Sequence, residues 1–474
     1  MDFKQHSIAQ WHQALVEYRE TPESIARHCI AQVQALDGDA HAWVGFNGEA
    51  LLKAAQATAR RLAQGEPLRP LEAMPVGVKD IFNTTDFPTQ MGSPLWAGFT
   101  PGNDARAVFN LKRAGGLVPG KTETAEFAVH TLGQTLNPWA PDRTPGTSSS
   151  GSAVAVALGM VPAALGTQTA GSIVRPASFC GVWGMKPSFG LIPRTGMLKT
   201  TDSLDTVGFF ASHASDLGRL LDGLRVHGRD FPLSDRALND TARQAAPSQR
   251  PWRVGVVRPH VWAQAPAYAQ QALQQWVDRL NADPRFEVVD ATLPALMADS
   301  HTVHATIYNR ALAYYFQAEF QKAELVSPVM NALIVAGQRI SPAEYAQALD
   351  RQVELSRAME QFTRGYDVLV TLSTAGEAPP RHVEELPDSA LMWTLTQLPA
   401  LSAPVFKSPG GLPFGLQLVA RRYNDPLLLK FVAEAIERGH LPATSHGQRY
   451  GADTVAPAAA APAPAAPVLE PALP

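Results

Sequence analysis

The spacing of apolar and polar residues predicts helices in the first part of the chain. In "TPESIARHCIAQVQAL" the apolar side chains recur at helical spacing and share one face: Ile25, Cys29, Ile30, Val33 and Leu36. Thr21 is a suitable N-cap, because Pro22 follows it at the first helical position. A second helical pattern, "GEALLKAAQATARRLAQG", ends at Gly65. We therefore expect residues 1–65 to form a helical segment packed on the core.

Short apolar runs alternate with helical patterns along the rest of the chain. These runs predict buried strands at residues 74–80, 117–122, 161–169, 252–257, 286–293, 366–374 and 411–422. Strands separated by helices at this spacing are joined by right-handed crossovers. We therefore expect residues 66–450 to form a single large α/β domain. Its central sheet is expected to be mixed and mostly parallel, with helices covering both faces.

Composition and charge narrow the class of protein. The chain has 474 residues, of which 45% are hydrophobic, and its formal net charge is -3. This balance predicts no nucleic-acid partner. No apolar stretch approaches the length of a membrane span, so no membrane association is expected. The first residues lack the apolar region of a signal peptide, and we expect a cytoplasmic protein.

The cysteine count and the C-terminus exclude further classes. Cys29 and Cys180 are too few for a disulfide framework or a cysteine-based zinc site. We expect neither a metal nor a cofactor, and either a monomer or a homodimer. Residues 455–474 contain nine Ala and six Pro. Such a composition buries too little apolar surface to order itself, so we expect disorder there.

Two patterns resemble known catalytic motifs but lack their structural context. Residues 115–122, "GGLVPGKT", satisfy the phosphate-loop pattern. That loop follows a strand and opens a helix, whereas this pattern follows a helix and contains a strand-like apolar pair. His301 and His304 lie three residues apart without the glutamate of a zinc-hydrolase motif. We interpret them as unrelated polar positions near the surface.

A serine nucleophile is suggested by residues 144–152, "TPGTSSSGS", and by the small-residue turn at 169–172. Consecutive N–H groups in such a turn can converge on an oxyanion. Neither segment contains the G-x-S-x-G pattern of a nucleophile elbow, which disfavours a Ser-His-Asp triad. Ser172 then needs a different base, and a neutral lysine can serve. Lys79 ends the apolar run 74–80, where desolvation would neutralise it, although a lysine there can also snorkel to the surface.

Several segments resemble the amidase signature family of serine hydrolases. They are "PVGVKD" at 75–80, "GKTETAEFA" at 120–128, the block from 144 to 188, and "GLPFGLQLVARR" at 411–422. They occur in the family's order, and fixed glycine and serine positions make the central block highly specific. The resemblance covers most of residues 20–440. It implies a signature block at about 144–190 and a variable substrate-pocket segment at about 200–380.

The resemblance implies a Ser-cisSer-Lys triad. The family's lysine base falls on Lys79, its bridging serine after a cis peptide bond on Ser148, and its nucleophile on Ser172. The backbone oxyanion donors fall on Thr169, Ala170, Gly171 and Ser172.

The chain departs from the family's pattern at several positions. The family usually reads "GGSSGGS", whereas Thr147 and Ser150 replace glycines here. Where the family often reads "GTDTGGSIR-x-P", this chain has Gln168, Ala170 and an arginine shifted by one position to Arg175. Gln168 removes a buried charge, so the hydrogen bonding around the turn is expected to differ. Every side chain of the implied triad is retained.

The implied activity is hydrolysis of a C–N bond through an acyl-enzyme on Ser172. The aromatic-rich segment 301–320 favours a small aromatic or apolar amide, with an ester or a carbamate (urethane) also suitable. Substrate contacts are expected at Met91, Gly92, Ser93, Thr147 and Tyr314. Two alternatives stay open, namely the glutaminase subunit of a tRNA-dependent amidotransferase and a non-catalytic binding protein.

Overall fold

The computed structural model describes residues 1–446, and the predicted disordered tail at 455–474 lies outside the described residues. Within this range eleven strands form one sheet. The strands are β1 Trp43–Phe46, β2 Val76–Lys79, β3 Gly120–Thr122, β4 Ala163–Gln168, β5 Trp183–Lys186, β6 Thr206–Ala211, β7 Trp252–Val256, β8 Phe286–Asp290, β9 Val368–Leu372, β10 Ala400–Lys407 and β11 Pro413–Val419.

Helices flank the sheet, and with it they form the single large α/β domain that the sequence predicts. In the part of the chain that is described, the α-helices are α1 Ile8–Val16, α2 Pro22–Ala40, α3 Gly48–Ala63, α4 Arg106–Arg113, α5 Ser150–Ala157, α6 Val174–Cys180, α7 Leu217–Leu224, α8 Pro232–Leu238, α9 Ala267–Asn281, α10 Ser300–Tyr315, α11 Gln317–Phe320, α12 Pro328–Gln338, α13 Pro342–Phe362, α14 Ala390–Leu395 and α15 Asp425–Glu437. None of these described helices is long and apolar enough to cross a membrane.

The sheet is mixed, as predicted, but it is not mostly parallel. Its strand order is β1-β3-β2-β4-β6-β5-β10-β11-β9-β7-β8. Only the pairs β2–β3, β2–β4, β7–β8 and β7–β9 are parallel among the described strands, and the other six neighbouring pairs are antiparallel. The strand prediction missed β1, β5, β6 and β10, each of which makes antiparallel pairs. A strand–helix–strand pattern detects parallel strands, because these are joined by a crossover helix. It does not detect antiparallel strands that are joined without a helix.

The N-terminal segment contains α1, α2, β1 and α3, and β1 forms one edge of the sheet. Thr21 is the N-cap of α2, and its side chain accepts a hydrogen bond from the backbone N–H of Ser24. β1 lies between α2 and α3 and pairs antiparallel with β3. The buried Asp216 carboxylate accepts the backbone N–H of Ile8 at 3.0 Å, which anchors the start of α1 to the core.

Two hydrophobic clusters define where a site can lie. The larger one surrounds the central sheet. The second joins α10, α12 and α13 to the segment around Met91 and Phe127. His304 of α10 contacts the Thr169 carbonyl directly after β4, so α10 lies at the carboxyl end of this strand.

Candidate active site

Lys79 is the last residue of β2, and it is completely buried. Parallel pairing with β3 and β4 on either side fixes the direction of its strand. Its Nζ lies 2.6 Å from Ser148 Oγ, 3.0 Å from Ser149 Oγ and 2.9 Å from Thr167 Oγ1. The lysine therefore sits in a cage of three hydroxyl groups.

Burial sets the protonation state of Lys79. Desolvation holds the pKa of its ammonium well below 10.5, and the charge of Asp205 only partly opposes this. A neutral amine offers two donors and one lone pair, which matches three hydroxyl partners. Ser149 Oγ donates to the Thr167 carbonyl at 3.2 Å, so that oxygen accepts from the lysine. The lone pair of Lys79 can then accept the hydroxyl proton of Ser148.

The serine stretch is neither exposed nor a linker. Every residue from 144 to 152 is buried, and the peptide bond between Thr147 and Ser148 is cis. Gly146 has φ +86°, and a Cβ there would lie 2.8 Å from the Cα of Pro176. Only glycine suits this close approach in a left-handed conformation. The stretch is therefore packed directly against the start of α6.

The turn 169–172 joins β4 to α6 and carries Ser172, which is 8% exposed. Within residues 1–446 the backbone N–H groups of Ala170, Gly171 and Ser172 donate to no protein acceptor. Free N–H groups on consecutive residues are the arrangement that an oxyanion hole requires. The turn thus provides a serine and unused donors together.

The carbonyl groups of this turn are held from behind. His304 Nε2 contacts the Thr169 carbonyl at 2.9 Å, and the Thr394 hydroxyl donates to the Ala170 carbonyl at 2.9 Å. In a planar trans peptide the carbonyl and the following N–H point in opposite directions. Holding these two carbonyls therefore directs the N–H groups of Ala170 and Gly171 to the opposite side.

His304 is a neutral donor in this contact. A carbonyl oxygen only accepts, so the Nε2 of His304 carries the proton. Desolvation lowers the pKa of its imidazole to about 4, against a smaller opposing effect of the Thr169 carbonyl. Its ring also packs against Tyr308, one turn further along α10, with ring centroids 5.6 Å apart.

Asp205 fixes the Thr169 side chain from another direction. The hydroxyl of Thr169 donates to the Asp205 carboxylate at 2.8 Å. The same carboxylate accepts from the hydroxyl groups and backbone N–H groups of Thr200 and Thr201 at 2.6 to 3.0 Å. This hydrogen-bond network connects the turn 169–172 to the segment that precedes β6.

Arg175 covers the underside of Gly171. A Cβ at Gly171 would lie 2.9 Å from an Arg175 guanidinium nitrogen, so a larger residue there would require the arginine side chain to shift. The guanidinium pairs with Glu385 and Asp388, each at 2.9 Å. These partners raise the pKa of Arg175 despite its burial. The one-residue shift seen in the sequence therefore leaves a buried, fully paired arginine beside the turn.

The predicted substrate contacts at 91–93 lie in a loop that is tied to the residue after Lys79. The N–H of Met91 donates to the Asp80 carbonyl at 3.0 Å. Gly92 has φ +66°, and Ser93 is buried.

Lys121, from the phosphate-loop-like pattern, is buried in β3 and pairs with Asp80 at 3.1 Å. Desolvation lowers the pKa of Lys121 to about 8, with Asp80 opposing.

The interpretation of the two histidines is wrong for His304. It is 3% exposed and bonds to the Thr169 carbonyl in the turn 169–172, whereas His301 bonds to His260 at 2.9 Å. The i, i+4 spacing of His304 and Tyr308 on an apolar helix face was the signal available in the sequence. Tyr314 lies on the exposed side of α10, 67% exposed, with its ring against Tyr315.

Comparison with known proteins identifies the family. A family model described as Amidase matches residues 24–429, and the chain belongs to this amidase family. A glutamyl-tRNA(Gln) amidotransferase subunit from Anaeromyxobacter dehalogenans (strain 2CP-C) is 33% identical over 459 residues, covering 87% of this chain and 92% of its own. The protein of the same name from Chloroflexus aggregans (strain MD-66 / DSM 9485) is 30% identical, covering 91% of this chain and 96% of its own.

Solved structures agree with this assignment. The crystal structure of an amidase superposes with a TM-score of 0.82 at 27% identity, covering 91% of this chain and 100% of its own. The peptide amidase from Stenotrophomonas maltophilia superposes with a TM-score of 0.77 at 25% identity, covering 93% and 98% respectively. The chain is therefore an amidase-family protein, and the family supports an enzyme that hydrolyses C–N bonds.

Proposed function

We propose that the protein hydrolyses a carboxamide through an acyl-enzyme on Ser172. Neutral Lys79 takes a proton from Ser148, and Ser148 takes one from Ser172. The Ser172 oxygen attacks the carbonyl, and the backbone N–H groups of residues 170–172 stabilise the oxyanion. Ser148 returns a proton to the leaving nitrogen. Water then cleaves the ester by the same relay, which regenerates the three groups.

One observation carries this proposal more than any other. Lys79 is buried among hydroxyl groups, and no carboxylate of the described residues lies within hydrogen-bonding distance of it. A lysine held for structural reasons in a core is normally paired with an acid, because an unpaired buried charge is costly. A lysine base that stays neutral near pH 7 needs a buried position without an acidic partner, which is the arrangement of Lys79.

The relatives favour glutamine as the amide that is cleaved. The two proteins at 30–33% identity over nearly the whole chain are named as amidotransferase subunits. We therefore place the glutaminase alternative ahead of the small apolar amide that the aromatic residues suggested. In this role the chain would release ammonia from glutamine, and partner subunits would use it.

A small apolar amide remains the second candidate, and one structural observation favours it. Buried apolar side chains continue from the Met91 loop into the helices of the variable segment. Phe127 packs on Phe316 with ring centroids 4.9 Å apart, and Tyr308 belongs to the same cluster. The peptide amidase from Stenotrophomonas maltophilia shares the fold of this chain.

The test combines a label with a substrate panel. Purified chain is treated with a fluorophosphonate, and mass spectrometry is expected to find the label on Ser172. Ammonia or amine release is then measured with glutamine, an aromatic primary amide and a chromogenic anilide. Ser172→Ala and Ser148→Ala should abolish turnover, whereas Ser150→Ala, a buried serine of the same stretch, should retain it. Normal turnover by Ser172→Ala would refute the proposed nucleophile.

A further inference from the structure

A cavity lies away from Lys79, Ser148 and Ser172, between α13 and the turns that follow α14 and β11. Its volume is about 640 Å³. One face of α13 lines it together with the turns that follow α14 and β11 and with residues from two other loops. The lining includes Arg243, Gln352, Arg357, Gln397, Arg422 and Tyr423. None of the three proposed catalytic residues and none of the residues of the turn 169–172 is among them. It is therefore a separate site.

Three arginines converge on this cavity, and none of them pairs with an acidic residue of the described chain. Within residues 1–446, Arg357 makes no side-chain hydrogen bond or ion pair, and the Arg422 Nε is buried with no partner. Arg422 stacks on the ring of Tyr423, 4.9 Å from its centroid. Arg243 donates to the side chain of Asn424 at 2.6 Å and to a backbone carbonyl, both of which are neutral.

Glu360, which supplies a carboxylate to the lining, is already engaged. It accepts from Arg421 at 2.6 Å and lies 3.8 Å from Arg364. Burial lowers the pKa of the Arg243 guanidinium and the charge of Arg421 lowers it further, whereas the charges of Glu360 and Asp240 act in the opposite direction. The lining thus carries three arginines against the single carboxylate of Glu360, which is shared with Arg421, although the whole chain carries a formal net charge of -3.

The backbone around the cavity is also unusual. Gln397 and Tyr423 line it from different turns, and both have φ +63°. Residues other than glycine adopt this left-handed conformation rarely, and such positions concentrate at binding sites, where surrounding structure holds them. Gln397 and Tyr423 thus line the cavity from turns whose backbone is held in an unfavourable conformation.

From these observations we propose that the cavity binds a small organic phosphate or pyrophosphate. A guanidinium presents a planar fork of N–H donors that matches two oxygens of a phosphoryl group. Arg357 and Arg422 provide two such forks, and Arg243, whose Nε and one terminal nitrogen are already bonded, adds its remaining terminal nitrogen. The amides of Gln352 and Gln397 lie in the same lining and donate to backbone carbonyls. The cavity volume is within the range of small-molecule sites. A concave site of this kind suits a compact anion better than an extended nucleic-acid backbone.

Binding of inorganic pyrophosphate by the full chain tests the proposal. Isothermal titration calorimetry at fixed ionic strength should find one saturable site per chain. Arg357→Gln and Arg422→Gln should each weaken pyrophosphate binding about tenfold or more, because each removes a charge-assisted contact. Arg339→Gln, an exposed arginine outside the cavity, should leave it unchanged. The amidase activity of Arg357→Gln should stay unchanged, which separates this site from the catalytic one.

Several results would overturn the proposal. One is the absence of a saturable pyrophosphate site, and another is equal weakening by Arg339→Gln and the two cavity variants. Tighter binding of citrate than of pyrophosphate would exclude phosphoryl recognition. A short RNA duplex that binds with a steep salt dependence, lost in Arg357→Gln, would assign the arginines to a nucleic acid instead.

Discussion

Replacing His304 tests whether a residue outside the proposed triad positions the turn 169–172, which we propose forms the oxyanion hole. His304→Leu keeps an apolar side chain of similar size in the buried position but removes the donor to the Thr169 carbonyl. His304→Gln is the matched control, because its side-chain Nε2 can occupy the position of the imidazole Nε2 and donate the same hydrogen bond. The contact to be broken is 2.9 Å long and buried.

The size of the expected effect follows from the cost of an unpaired buried carbonyl. Leaving such a group unsatisfied costs about 1–3 kcal/mol. If the turn relaxes to recover a partner, the N–H of Ala170 rotates away from the oxyanion. That same energy is then lost in the transition state, which lowers kcat/KM about 5- to 150-fold. The ground state gains little from the oxyanion donors, so KM should change less than kcat.

Steady-state kinetics on the better amide of the panel provide the assay. His304→Leu should lower kcat while labelling of Ser172 by a fluorophosphonate slows in parallel, and His304→Gln should recover most of both. Thermal unfolding of each variant shows whether the fold is retained. Near-normal kcat in a folded His304→Leu enzyme would refute the positioning role, as would an equal loss in His304→Gln.

The pH dependence of stability gives an independent check on His304. Its pKa is about 4 in the folded chain, against 6.5 ordinarily. The unfolded chain therefore binds more protons between these values, and stability is lost as pH falls from about 6.5 to about 4. The contribution is on the order of 3 kcal/mol. Unfolding of His304→Gln by denaturant should show a flatter dependence over this window.

Three further predictions concern other buried polar groups. Lys79→Met should lower kcat by ~10³-fold or more while the chain stays folded, as measured by turnover and thermal unfolding; turnover within tenfold of the parent would contradict the base. Asp216, whose pKa is raised to about 7 by desolvation, should make stability fall as pH rises from 3.8 to 7. Asp216→Asn should abolish that slope in denaturant titrations, and an unchanged slope would refute it. Gln168→Glu should lower kcat, because a carboxylate cannot donate to Thr394; unchanged kcat would contradict this.

The apolar runs in the sequence predicted β2, which ends in Lys79, and β4, which precedes the turn with Ser172. Apolar runs located β2 and β4, and Lys79 lies at the end of its strand as expected. The same patterns missed β6 and β10, which pair antiparallel in the middle of the sheet. Register between distant strands depends on tertiary packing, which a window of neighbouring residues does not contain.

The residues that contact the turn 169–172 could not be predicted from the sequence. His304 reaches Thr169 across 135 positions of sequence, and Asp388 reaches Arg175 across 213. A resemblance to a family transfers roles only to positions inside its motif. The variable segment has no such motif, so nothing in the sequence linked a histidine on α10 to a turn after β4.

Gln168 shows how a departure from the motif can be accommodated by the rest of the chain. Its Oε1 accepts the backbone N–H groups of Ile173 and Val174, both at 2.9 Å, at the start of α6. This contact fixes the amide orientation, so Nε2 must donate to the Thr394 hydroxyl at 3.0 Å. The Thr394 proton is thereby directed to the Ala170 carbonyl. A carboxylate could accept from α6 equally well, but it would also attract the Thr394 proton and release Ala170. The uncharged amide at position 168 therefore orients the turn 169–172 indirectly, because Gln168 donates to Thr394 and Thr394 donates to the Ala170 carbonyl. An acidic residue at position 168 would accept from Thr394 instead, so Thr394 would no longer donate to Ala170.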